Sequence, residues 1–252
     1  MSNATPTAMP TATPDASARE PVVGRCYALV PCAGVGQRSG VDGPKQYASL
    51  AGRSVVAHTL AALDAVPALV ATLVVLAPGD EVFDSHAQGL IGPKVWAARC
   101  GGATRAASVA NGIEQLRERG AAEHDWVLVH DAARCLVRAS WVEALIEACR
   151  DDAVGGLLAL PLADTLKQVA HGRVAATVPR ADKWLAQTPQ MFRLGLLQRA
   201  LAAAGPEVSD ESSAVEALGL SPRLVPGDIE NMKLTWPADF ALAERLLQTR
   251  PR

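Results

Sequence analysis

Four short runs, CYALVP (26–31), VATLVVLAP (70–78), WVLVH (126–130) and GGLLALPL (155–162), are apolar at nearly every position instead of at alternate ones. A strand that is apolar throughout needs cover on both faces, and helices packed on the two sides of a mostly parallel sheet supply it. The intervening stretches fit that demand. SVVAHTLAALDAV sets Val55, Leu60 and Leu63 near helical spacing behind Ser54 as N-cap. Thr104 opens a helix running to about Arg119, Ser140 caps one to about Arg150, and Pro237 starts a last one to about Gln248. With a weaker strand at KVWAA (94–98), the pattern predicts an α/β fold with strands and helices alternating.

Two segments stand outside the alternation. Residues 1–24 are mostly Ala, Thr, Pro and Ser and have little to bury, which predicts a disordered N-terminal tail before a single domain over 25–252. Residues 163–187 alternate polar and apolar positions around AHGR, the pattern of a β-hairpin projecting from the sheet. Such an arm calls for a partner surface.

Composition excludes several classes. The net charge of −2 lacks the basic excess of a nucleic-acid binder, so an anionic ligand must be held by local cations. Five cysteines without CxxC spacing argue against a disulfide framework or a zinc site and fit free thiols in a reducing cytoplasm. Neither a signal peptide nor an apolar run of roughly 20 residues that could span a membrane is expected.

The stretch PCAGVGQRSGVDGPKQY (31–47) follows the first strand directly. Glycines there let backbone N–H groups approach phosphate oxygens without interference from Cβ. Ser39 stands where the third glycine of GxGxxG belongs, and no acidic residue ends the second strand, which argues against a dinucleotide site. The lysine follows Pro44, so the loop is not a Walker motif either. Arg38 and Lys45 remain as two cations in an anion-favouring loop, a combination suited to a triphosphate.

The loop AGVGQRSGVDGPKQY resembles that of nucleotidyltransferases joining a polyol phosphate to a nucleoside triphosphate. GGATRAASVANG (101–112), VHDAARCLV (129–137), ADTLK (163–167), TVPRADKWLAQTPQMF (177–192), SDESSAVE (209–216) and NMKLTWPADFALAE (231–244) are similar, in the same order, to the motifs of the 2-C-methyl-D-erythritol 4-phosphate cytidylyltransferase family. The resemblance implies a Rossmann-like, mostly parallel twisted sheet with helices on both faces and a projecting β-arm used for homodimerisation. It implies transfer of a cytidylyl group from CTP to 2-C-methyl-D-erythritol 4-phosphate, with Mg²⁺ or another divalent cation and release of pyrophosphate, in the non-mevalonate isoprenoid pathway.

The same resemblance carries roles onto single residues. Arg38 and Lys45 stabilise the transition state, and Arg180 and Lys233 position the attacking phosphate. Thr165 and Thr188 offer hydroxyls to the substrate. Ala33, Gly34 and Gly36 belong to the nucleotide loop, and Gly101, Gly102 and Ser108 to the cytosine-reading segment. Asp131 and Arg134 line the substrate side, with Asp131 also the candidate metal ligand. Because Thr165 and Arg180 lie on the arm, each site is expected to combine residues of two subunits.

Other readings stay open beside these. A ribitol 5-phosphate cytidylyltransferase would share the loop and the chemistry, and a nucleotide-binding regulator would share the loop without catalysis. His130 reads as structural, Cys32 as a small filler beside the loop, and Asp210 and Glu211 as helix-start carboxylates serving the dipole. Ala103, Cys135 and Trp236 depart from the family pattern, which has an acidic residue, a proline and an arginine there.

Overall fold

The computed structural model describes residues 24–34, 40, 43–205 and 208–250. Apart from Gly24, the expected tail lies outside the described residues, as do Gly36 and Arg38. Strand β1 (Cys26–Pro31) runs into the glycine loop, and a single 3-10 turn, Lys45–Tyr47, follows it. The short pair β2 (Ser49–Leu50) and β3 (Arg53–Ser54) leads to helix α1 (Val55–Asp64), whose N-cap Ser54 accepts a hydrogen bond from the Ala57 N–H as the sequence predicts. Next come β4 (Leu69–Val75), the one-turn α2 (Phe83–His86), β5 (Val95–Ala98), α3 (Arg105–Glu118), β6 (Trp126–Val129) and α4 (Ala139–Cys149).

The second half contains β7 (Gly155–Pro161), β8 (Leu166–Ala170), β9 (Arg173–Val178), β10 (Trp184–Arg193), α5 (Leu194–Ala204), α6 (Glu211–Glu216), β11 (Arg223–Pro226) and α7 (Pro237–Thr249). Seven strands form the central sheet in the order β11-β7-β10-β6-β1-β4-β5. All pairings are parallel except those of β10, which runs antiparallel to both β6 and β7.

The alternation of side chains explains why the strands are apolar at every position. Along β1, Cys26, Ala28 and Val30 pack into the cluster that holds Val56 and Leu60 of α1 and Val142 and Leu145 of α4. Tyr27 and Leu29 point the other way, into the cluster holding Val109 and Ile113 of α3 and Leu197 of α5. A third, smaller cluster joins Leu50, Val55, Leu136 and Leu234 to Ala243 of α7 and so docks that helix against β2 and the start of α1. Among the described residues, no helix is long and apolar enough to cross a membrane.

Two predicted boundaries differ in the structure. Helix α4 begins one residue before Ser140, with Arg138, extended in its backbone, at the cap position and no side-chain cap bond. The projecting hairpin is β8–β9, turning at His171 and Gly172, both with positive φ as a tight two-residue turn requires. From Trp184 the chain is already in β10, so the last residues of the expected arm, 184–187, belong to the central sheet. Leu128, fully buried in the central strand β6, tests this core: Leu128→Ala is expected to lower stability by about 3 kcal/mol in urea unfolding, and a loss under about 1 kcal/mol would contradict the packing described.

Candidate active site

The carboxyl ends of parallel strands β1, β5 and β6 open onto one cleft of about 300 Å³, the position at which open α/β sheets bind ligands. Three loops wall it. Cys32, Ala33 and Gly34 follow β1, Gly102 and Ala103 lead into α3, and Asp131, Ala132 and Ala133 follow β6. Lys45, Gln46 and Lys233 complete the lining. Helix α3 presents its amino end to this space through Thr104, which caps the helix by accepting from the Ala107 N–H, and that end favours an anion.

Of the residues singled out in the sequence, Ala33, Gly34, Lys45, Gly102, Ser108, Asp131 and Lys233 all line the cleft. Gly101 is beside it, donating its N–H to the Leu76 carbonyl at 2.8 Å. A Cβ at Gly101 would sit 2.5 Å from the Ala33 Cβ, and one at Gly102 would sit 2.6 Å from the Ala107 Cβ, so only glycine lets these loops close together. Ser108 Oγ accepts from the Gly102 N–H at 3.0 Å and donates to the Thr104 carbonyl at 3.0 Å, which fixes the loop's backbone.

Asp131 is the electrostatic centre. Its Oδ1 accepts from Arg105 Nε at 2.9 Å, its Oδ2 pairs with Lys233 Nζ at 2.8 Å, and Arg134 Nε stands 3.8 Å away. Burial opposes its charge, yet Arg105, Lys233 and Arg134 outweigh that penalty and hold the carboxyl far below the usual range. Arg105 in turn forks onto Glu211, Nη1 to Oε1 at 2.6 Å and Nη2 to Oε2 at 3.0 Å. Lys45 Nζ donates to the Leu234 carbonyl at 2.8 Å, joining the glycine loop to the segment that carries Lys233.

Several expected residues occupy other positions. Thr188 lies buried beneath the cleft: its hydroxyl accepts from the Asp131 N–H at 3.0 Å and meets His130 Nδ1 at 3.1 Å. His130 Nε2 faces the Arg134 carbonyl, so Nε2 carries the proton, Nδ1 accepts, and Thr188 has no proton left for a substrate. Arg134 donates to the Asn231 carbonyl at 2.7 Å and the Ala186 carbonyl at 3.3 Å, bracing the Lys233 segment from below. Thr165 and Arg180 are exposed on the arm, where Arg180 donates to the Ala163 carbonyl, and neither lines the cleft.

Sequence reasoning missed three participants. Gln46, buried, donates to the carbonyls of Cys32 at 3.0 Å and Gly34 at 2.9 Å and so pins the glycine loop. Arg105 and Glu211 are the others. Asp210 does cap α6, accepting from the Ser213 N–H, and Glu211, a first-turn carboxylate as the sequence suggests, has the further partner Arg105. The signal for Gln46 was its place directly after Lys45; an Arg–Glu pair 106 positions apart leaves none.

A mostly parallel α/β sheet whose glycine loop, helix terminus and lysines converge on one cleft defines a nucleotide-binding site of the nucleotidyltransferase type. The sequence profile of the family described as "IspD: 2-C-methyl-D-erythritol 4-phosphate cytidylyltransferase" matches residues 26–249, and the chain belongs to that family. It is 52% identical over 228 residues to the 2-C-methyl-D-erythritol 4-phosphate cytidylyltransferase of Burkholderia multivorans, covering 88% of this chain and 96% of that protein. It is 63% identical over 226 residues to the bifunctional enzyme IspD/IspF of Albidiferax ferrireducens, covering 90% of this chain but only 54% of that protein. A crystal structure of 4-diphosphocytidyl-2C-methyl-D-erythritol synthase superposes with a TM-score of 0.80 at 43% identity, covering 89% of this chain and 99% of the other.

His130 gives the site a pH signature. Burial pushes it from 6.5 down to about 4, so on acidification the unfolded chain takes up the proton first. The His130 contribution to stability is therefore full above about pH 6.5 and falls by about 3 kcal/mol as the pH drops toward 4. Urea titrations of the wild type and His130→Gln at pH 7 and pH 4.5 check it: the variant should show the flatter dependence, and equal slopes would refute the assignment.

Proposed function

We propose that the cleft binds CTP and that this chain transfers its cytidylyl group to 2-C-methyl-D-erythritol 4-phosphate, releasing pyrophosphate. The observation that carries the reading is the convergence of Lys45 and Lys233, from opposite ends of the chain, on a cleft walled by the glycine loop. Attack of a phosphate oxygen on the α-phosphorus brings two anions together and leaves charge on pyrophosphate, so catalysis rests on positioning and on cations. Lys45 and Lys233 supply them here. Arg38 adds a third by the family resemblance.

The backbones of Ala33 and Gly34 face the phosphates, and Gly101, Gly102 and Ser108 hold the segment that reads the cytosine ring. Asp131 orients Lys233 and faces the polyol hydroxyls. No covalent nucleophile is needed, and burial pushes the Cys32 thiol well above the ordinary cysteine range, which keeps it inert.

A divalent ion such as Mg²⁺ usually keeps several waters and binds through one or two carboxylates plus substrate phosphates. Asp131 is the sole carboxylate among the described lining residues, and its two oxygens already engage Arg105 and Lys233. This donor set fits an ion carried in on the triphosphate, with Asp131 as the residue facing it. When bound, such an ion would neutralise phosphate charge.

Thr165 and Arg180 reach a substrate only from a second copy of the chain, which makes the active form a homodimer joined through the arm. Val169 and Val174, 68% and 66% exposed on the hairpin, give that arm an apolar surface to cover. Scattered cysteines without paired spacing favour a reducing compartment, and we assign the enzyme to the cytoplasm on that ground. The substrate in the names of the relatives above favours methylerythritol phosphate over ribitol 5-phosphate.

Pyrophosphate release from CTP and Mg²⁺ with each polyol phosphate tests the assignment. Release with methylerythritol phosphate is expected, with Lys45→Ala slower by about 10²- to 10³-fold in kcat, and release with ribitol 5-phosphate alone would overturn it. Turnover per chain is also expected to collapse on dilution to monomer. A monomer at full turnover would sink the shared site.

A further inference from the structure

Glu211 is fully buried on α6 and does not itself line the cleft, yet both of its oxygens accept from the Arg105 guanidinium, at 2.6 and 3.0 Å. A buried carboxylate is costly unless it is paired and hydrogen-bonded, and a forked pair with arginine is the geometry that offsets the cost. Arg105 spends its two Nη atoms on Glu211, which leaves Nε aimed at Asp131 Oδ1 at 2.9 Å. The other Asp131 oxygen holds Lys233 at 2.8 Å. Four side chains from four separate segments thus form a row of alternating charge ending on the lysine in the cleft.

The row has one exposed end. Glu211 and Asp131 are buried, while the Lys233 side chain is 40% exposed. The Lys233 segment is anchored independently through its backbone, by Arg134 to the Asn231 carbonyl at 2.7 Å and by the Leu234 N–H to the Ala133 carbonyl at 2.9 Å. Its ammonium group, by contrast, is oriented by Asp131, and the rotamer of Asp131 is fixed by Arg105. Arg105 without its fork would be free to swing both Nη atoms onto Asp131 and compete with the lysine for the carboxylate.

The geometry points to Glu211 as a positioning residue for cytidylyl transfer, acting through Arg105 and Asp131 to aim Lys233; this rests on the role given to Lys233 above. Glu211→Gln keeps the shape and removes the charge. On the full chain with CTP, Mg²⁺ and methylerythritol phosphate, it is expected to lower kcat by on the order of 10- to 100-fold, the effect of a small misplacement at the reacting centre. In a Lys233→Ala background the same change should cost less than about twofold, because groups acting through one another do not multiply their effects.

Arg105→Lys, which cannot fork, should behave alike and serves if Glu211→Gln does not fold by circular dichroism. Equal fold losses in both backgrounds would mean that Glu211 only supports the fold, and would overturn the inference. Lys233→Ala at wild-type turnover would instead overturn the role of Lys233 itself, together with the relay that depends on it.

Discussion

Asp131 follows the end of β6 by two residues, and around its carboxylate three cations share a space that none could hold with the others alone. Arg105, Arg134 and Lys233 repel one another, yet each has a nitrogen within 3.8 Å of this one carboxylate. One buried carboxylate solves this. It satisfies two of the cations directly and makes their mutual approach tolerable, and its own ionisation is secured by the charges it holds. The site is therefore prearranged by internal ion pairs, which lessens the reorganisation needed at the moment of reaction.

The sheet topology makes that centre possible. Parallel strands β1, β5 and β6 all deliver their following loops to the same edge, so residues far apart in sequence meet without long connections. Antiparallel β10 enters between β6 and β7 and brings Thr188 under Asp131. Thr188 and His130 then lock the Asp131 backbone from below while Arg105 locks its side chain from the side. The polar layer beneath the cleft contributes rigidity.

Most of the central sheet was legible because strands covered on both faces carry an unbroken apolar signal, as CYALVP and WVLVH do. Strand β10 was not. WLAQTPQMFR mixes polar residues into a strand because Gln187, Thr188 and Gln190 serve buried hydrogen bonds, to Asp228, to Asp131 and His130, and to the start of α6 respectively, and that use of polar side chains leaves no periodic trace. Within the site, Lys45, Asp131 and Lys233 sit in recognisable motifs, whereas the partnership of Arg105 with Glu211 depends on how α3 and α6 pack and exists only in three dimensions. Thr188 shows the converse: its motif was visible, but its burial beneath the cleft was not.

The bond from the Lys45 ammonium to the Leu234 carbonyl spans 189 positions. On the ribosome, the glycine loop leaves the exit tunnel long before the segment that will hold its lysine has been made, and the sheet's central pairings likewise wait for distant strands. A nascent or prematurely ended polypeptide therefore carries half of a nucleotide cleft and no reaction centre. Catalysis becomes a property of a polypeptide that has reached Leu234, and products ending before it have no means of drawing down the cell's supply of cytidine nucleotide.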